Sequence, residues 1–434
     1  MYRLIIFLCV VLFLSSGCER RGCTDPLANN YDIQARKDDG SCNYYTTCGT
    51  SSFCTDQKLI DGKYYNVITG RINTDFTMTS GYNWMLDEAV YVESGSVLTI
   101  EPGTHIYGDP STSSFLAVQR GAKIYACGTP EEPIVFTVPV ENPRSGLWGG
   151  LVINGAAPIN NGLISYGECG TGEYGGVDIN DNSGELCYVR VEYAGKWCTG
   201  ELSGFTFNAV GKGTNLHHLQ AYKCSDDGFE FLGGTAHLKY AIASGVEDDG
   251  FDWTDGWQGR AQHLIIEQGQ MGSDRGFEGD NNGNDHGLEP YSSPMISNVT
   301  MIIKERAYGA AIGIKLRTGT KGVYSNMLVK GPGVHTNSYG VEVVDSLTSY
   351  HMDLTALKVK YNRVFNFRIN WKNCAKFKND PTNSSDPVEL NGYIGIERNG
   401  ARNPRDLYPW FDPAEYIGAV PPENNWTQGW VRAL

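Results

Sequence analysis

Three copies of one acidic motif lie between Cys224 and Asp280: Ser225-Asp-Asp-Gly-Phe-Glu-Phe231, Glu247-Asp-Asp-Gly-Phe-Asp-Trp253 and Ser273-Asp-Arg-Gly-Phe-Glu-Gly279. Clustered carboxylates can hold a hard cation through their oxygens, or act as general acids and bases. Asp226, Asp227, Asp248, Asp249 and Asp252 are the candidate ligands, and calcium suits an all-oxygen set of this kind. The plainer alternative is a charged face, solvated or paired with arginine.

What must position these residues is a repeat. Asp248 follows Asp226 by 22 residues, and Asp274 follows Asp248 by 26. A Gly-rich repeat of this length without heptads points to a solenoid of stacked units. Runs such as Gly-Phe-Glu-Phe and Leu-Ile-Ile-Glu alternate as strands do. Equivalent strands of successive coils then pair in parallel about 4.8 Å apart, which predicts an all-β chain built as a parallel β-helix. Glu230, Asp252 and Glu278 form one column in that arrangement, and Asp226, Asp248 and Asp274 another. Two carboxylates at that spacing repel by roughly 3.5 kcal/mol at an effective dielectric of 20. Pairing of Arg275 with Asp249, exposure to water, or calcium between coils would each relieve the repulsion. Gly228, Gly250 and Gly276 are expected to permit tight turns that aim the carboxylates outward.

Composition narrows the partners. The chain has 434 residues, 53 of them Gly, and a net charge of −14. That disfavours nucleic acid and anionic membrane surfaces and leaves cations or neutral ligands. No nucleotide loop, nucleophile elbow or zinc-protease motif is present in the sequence. Arg3 followed by the apolar run Leu4 to Leu14 reads as an export signal, too short to span a bilayer. Twelve cysteines in an exported chain favour disulfides. A Cys23–Cys42 bridge would close a loop of about 20 residues, worth roughly 3 kcal/mol in the chain-entropy model. That loop carries Asp25, Asp32, Asp38, Asp39, Asn29 and Asn30. It reads either as a second calcium ligand set or as a stapled spacer.

Several stretches resemble known families. Leu14-Ser-Ser-Gly-Cys18 resembles a bacterial lipobox, which implies lipidation of Cys18 and a lipid anchor in a membrane. Gly22-Cys-Thr-Asp-Pro with Asp38-Asp-Gly-Ser-Cys42 resembles a short module of exported Bacteroidetes proteins. Leu98-Thr-Ile-Glu-Pro-Gly-Thr104, Gly121-Ala-Lys-Ile-Tyr-Ala-Cys-Gly-Thr129 and Leu147-Trp-Gly-Gly-Leu-Val-Ile153, with the acidic repeats, resemble right-handed parallel β-helix lipoproteins of that group. The resemblance implies an outer-membrane or cell-surface protein and carries no activity with it; the leading expectation is a non-enzymatic binding role toward a glycan or a protein partner. Asp248-Asp-Gly-Phe-Asp252 also resembles the calcium motif of one β-helical pectate-lyase family, and Asp226 or Asp227 could add a ligand. A calcium-dependent polysaccharide lyase is therefore the alternative. It lacks a matching lysine base, since none lies between Lys239 and Lys304; Arg260, Arg275 or Arg317 would have to serve, and arginine deprotonates poorly.

The expected organisation is a signal over 1–17, a Cys-rich module over 18–60, a β-helix over 61–345, and last coils with a cap over 346–434. His218, His237, His263, Asn298 and Asn326 each precede an apolar residue and read as one column. That column is either a ladder satisfying backbone groups or a functional centre. Trp426 and Trp430 belong to the expected cap, or to a carbohydrate-stacking platform.

Overall fold

The computed structural model describes residues 20–24, 32–41, 53–196, 198, 200–269 and 273–434. Cys18 and Cys42 lie outside the described residues, as do Asp25, Asn29 and Asn30. The chain divides into two compact units, Met1–Thr50 and Ser51–Leu434. In the first, Arg21–Gly22 pairs in parallel with Lys37–Asp38, and Cys23 is disulfide-bonded. Its acids have local duties. Asp32 Oδ2 meets Arg20 Nε at 2.7 Å, while Asp38 and Asp39 accept from the N–H groups of Gly40 and Ser41.

The second unit is a parallel β-helix built around a sheet of 25 strands. Each middle coil contributes a short strand and a long one. The short strands Phe205–Asn208, Phe229–Leu232, Phe251–Thr254, Arg275–Gly279, Ala311–Leu316 and Ser338–Val343 stack in parallel. The long strands Asn215–Tyr222, His237–Ser244, Arg260–Glu267, Met295–Ile302 and Gly322–Lys330 form a second stack. Alternation along the short strands sends Phe205, Phe229, Phe251 and Phe277 inward at one register position. Their rings pack at 5.0, 4.6 and 5.8 Å between centroids. Burying each such ring contributes roughly 1.5–3 kcal/mol, so the Phe of every acidic motif is what anchors that motif in place.

The motif glycines serve a different purpose from the one expected. Gly228, Gly250 and Gly276 are absent from the positive-φ positions. A Cβ on Gly228 would instead lie 2.7 Å from the carbonyl oxygen of Gly250, one on Gly250 equally close to that of Gly276, and one on Gly276 2.6 Å from that of Gly313. Gly204 and Gly340 extend the same row. The glycines let one coil's backbone sit on the next, and the acidic side chains on the outer face lie packed against one another rather than free in water.

The column of histidines and asparagines also needs one correction. His237 pairs in register with Asn215 and Arg260, so it stands outside the column, and Tyr240 takes its place. The true column is Tyr188, His218, Tyr240, His263, Asn298 and Asn326, all with φ between 51° and 60°. Each sits at a kink in the long strand where the register skips one residue. A left-handed backbone costs a tyrosine about 1–3 kcal/mol. The rings offset this by stacking face to face: Tyr188–His218 at 4.3 Å, His218–Tyr240 at 4.5 Å and Tyr240–His263 at 4.7 Å.

The final segment lies along the side of the coils. Asn326 bonds the backbone of Arg402, and Asn298 donates to the carbonyls of Ala414 and Tyr416. Gln262 bonds Asp412, and Arg190 donates to the Trp430 carbonyl at 2.8 Å. Ile242, Ile265, Ala419, Val420 and Trp430 form a buried cluster beneath it. The stacked column is thus roofed by residues 402–432: Asn298 and Asn326 bond the roof's backbone, and the Tyr240 hydroxyl donates to the Asp412 carboxylate at 2.9 Å. Two disulfides, Cys127–Cys187 and Cys169–Cys198, tie earlier coils, and Cys224 and Cys374 are buried free thiols.

Candidate metal centre

The outward-facing position of the short strands carries a single file of side chains. Register pairs Thr206, Glu230, Asp252, Glu278, Lys315, Glu342 and Lys372 in that order. One end of this file is neutralised. Lys372 Nζ lies 2.7 Å from Glu342, and Glu278 gathers Lys315 at 3.3 Å, Arg317 at 2.5 Å and Arg275 at 2.9 Å. Arg317 also pairs with Asp280 at 2.7 Å. Asp274 is held by both Arg275 and Arg306. Arg275 reaches Asp249 as well, at 3.4 Å.

The other end has carboxylates with few partners. Among the described residues, Glu230 accepts only from the hydroxyls of Ser203 and Thr206, both at 3.3 Å. Asp226 accepts from Ser203 at 3.2 Å, and Asp227 from the Asp249 N–H at 2.9 Å. Asp249 is 2% exposed, and its Oδ1 has no hydrogen-bond partner. Asp252 Oδ1 is likewise buried and unpartnered. Burial, with the neighbouring charge of Asp226, pushes Glu230 up to about 8. Burial and then Asp248 raise Asp249 to about 8 against the pull of Arg275, and Asp226 to about 7. Asp227 and Asp252 are raised well above the usual carboxylate range by burial and then by Asp252 and Asp249 respectively. Leaving buried acceptors unsatisfied costs about 1–3 kcal/mol each.

All five acids singled out in the sequence are brought together. Three groups place their ligand oxygens within 4.8 Å of one another: Asp226, Asp227 and Asp248; Asp227, Glu230 and Asp252; Asp248, Asp249 and Asp274. The donor set is all oxygen, and orphaned oxygens within it fit a hard cation. Such a set can hold a metal ion. Glu230 and Asp274 are members that the sequence reading placed in columns without naming them as ligands. Their place in the motif copies was the signal available. Lys315 was overlooked as a column member, because its strand Ala311–Leu316 lacks the acidic motif.

The geometry also bears on proton abstraction. The second coil below Asp252 does supply a lysine, Lys315, contrary to the expectation of none. Its ammonium, like the guanidinium groups of Arg275 and Arg317, is committed to Glu278. A cation held in such a pair is oriented by its partner and is not aimed at a substrate proton.

Neither the curated proteins nor the solved structures contain a match to the chain. The family model of a pectate-lyase-like β-helix domain matches residues 70–431, which span the coils, the acidic file and the flanking tail. With the fold and the match in agreement over most of its length, the chain belongs to the pectate-lyase-like β-helix family.

Proposed function

We propose that this protein is a lipid-anchored β-helix of the outer membrane or cell surface that binds a glycan or a partner protein without transforming it, and that calcium between its coils stabilises it. The observation that carries the reading is the state of the cations around the acidic file. Every basic side chain next to Glu278 is ion-paired, while Asp227, Glu230, Asp249 and Asp252 are crowded and short of partners. A cation there would serve the fold, and the pairs leave no base poised beside it. The export signal and the lipobox-like Leu14-Ser-Ser-Gly-Cys18 support anchoring at Cys18.

The test joins two measurements. Native protein mixed with polygalacturonate and calcium should yield no rise in the ultraviolet absorbance of unsaturated uronates. A rise that disappears in Asp252→Asn would overturn the non-enzymatic reading. Cys18→Ser should leave the membrane fraction, and a variant that still sediments after a carbonate wash removes the lipid anchor from the proposal.

A further inference from the structure

Away from the acidic file, on the long strands, a cavity of about 520 Å3 opens between the loop at Lys212–Thr214, the strands Asn215–Tyr222 and His237–Ser244, and the flanking tail at Trp410 and Asp412. Its volume lies within the range of roughly 300–1,000 Å3 usual for small-ligand sites. In a chain of net charge −14 its lining is unusual, with Lys212, Lys239 and three histidines against one carboxylate, Asp412.

Its groups are held in place. Lys239 Nζ is fixed by Asp412 Oδ1 at 2.7 Å and faces the Trp410 ring at 4.6 Å. His237 is 8% exposed; one ring nitrogen, Nε2, meets Arg260 Nη1 at 3.1 Å. With Nε2 accepting from arginine, the neutral ring carries its proton on Nδ1, and that atom is buried without a hydrogen-bond partner. His217 meets His218 through their Nδ1 atoms at 2.8 Å. Burial above all lowers the histidines, His237 to about 4 and His218 to about 3. At neutral pH they are therefore uncharged hydrogen-bonding walls, and the positive charge comes from the lysines. Lys212 stands exposed at the rim.

We propose that this cavity binds a saccharide unit carrying a carboxylate or a sulfate. The anionic group would meet Lys212 and Lys239, the two cations of the lining, with the sugar ring against the Trp410 and His217 side. Flat apolar surfaces interleaved with fixed donors are what a sugar, apolar on its faces and polar at its edges, requires. The inference rests on the glycan-binding reading above and names the glycan's chemistry and its seat.

Titration calorimetry of the full protein tests it with three soluble oligosaccharides: a uronate oligomer, its neutral methyl ester and a sulfated oligomer. Binding is expected for the uronate, the sulfated oligomer or both, weakening with salt and absent for the methyl ester. Lys212→Glu lies at the rim and should cost about tenfold or more in affinity, whereas Lys63→Glu, a surface control, should change nothing. Trp410→Leu should weaken binding too, with melting measured alongside to show that the protein remains folded. Equal binding of the neutral ester, or an acidic glycan held equally by wild type and Lys212→Glu, overturns the cavity while leaving a glycan-binding surface in place. No binding of either anionic oligomer overturns it as well.

Discussion

Replacing Glu230 with Gln and Asp252 with Asn removes the two unneutralised charges that register places side by side. At the strand spacing of about 4.8 Å and an effective dielectric of 20, their repulsion is roughly 3.5 kcal/mol when both are ionised. The β-helix unit has about 380 residues, so its unfolding entropy near the midpoint is about 0.8 kcal/mol per kelvin. In chelator the variant should therefore melt above wild type by up to about 4 °C, the full gap appearing only where both acids are ionised and a part of it at pH 8. The pH dependence has a definite sign. Glu230 and Asp249 are pushed up to about 8 and Asp226 to about 7, chiefly by burial. The stability conferred by their neutral forms is complete below about pH 4, and it is lost as the pH rises through about 7 to 8. At pH 4 wild type and variant should consequently melt together. Calcium at a hundredfold excess over its Kd adds about 2.7 kcal/mol to wild type, or about 3 °C, and should add less to the variant, which keeps two of the three acid groups. Differential scanning calorimetry at the two pH values, with calcium and with chelator, reads all four numbers. A variant no more stable than wild type in chelator at pH 8, or a gap that persists at pH 4, would refute the crowded-carboxylate argument. A wild type indifferent to calcium would refute the cation.

Three further outcomes follow from the packing. Gly250→Ala drives a Cβ against the Gly276 carbonyl and Ile266. It should cost at least about 1–3 kcal/mol in chemical denaturation, whereas Gly81→Ala, which meets open space, should be nearly neutral. Trp430→Ala empties a fully buried site between Tyr188 and His218; a loss of about 3–5 kcal/mol is expected, with faster proteolysis within residues 402–432 before the coils are cut. Non-reducing peptide mapping should find Cys127–Cys187, Cys169–Cys198 and Cys23–Cys42 bridged, and Cys224 and Cys374 should alkylate only after unfolding; free thiols at Cys23 and Cys42 would remove the proposed staple.

The architecture was legible because three motif copies share the order Asp-x-Gly-Phe, with a buried Phe and a crowded Gly that tolerate little change. Once those align, Glu230, Asp252 and Glu278 must share a column, and they do. Sequence reading fails where the repeat unit lacks a fixed mark. The long strands contain a kink with a positive φ, and a tyrosine there carries no local signal, so His237 was aligned in place of Tyr240. Lys315, Glu342 and Lys372 continue the file through strands without the motif. The course of residues 402–432 depends on contacts with strands far back in the chain, and local pattern says nothing of them. The burial of the acids was hidden for a related reason, since a Gly row reads equally well as turns or as tight stacking.

The docked tail also sets an order of events. Neighbouring middle coils pair residues some 22 to 37 positions apart, as in Phe229 with Phe251 or Glu278 with Lys315, so the stack can grow coil by coil as the chain emerges. Arg432 and Glu192, by contrast, are 240 residues apart, as are Arg190 and Trp430. Contacts of such separation form late, after the loop between them has been closed. The aromatic stripe of Tyr188, His218 and Tyr240 therefore stays wet until residues 402–432 have been made. A chain stalled or truncated before residue 402 would display that stripe, so its covering reports that the segment 402–432 has been made and has docked.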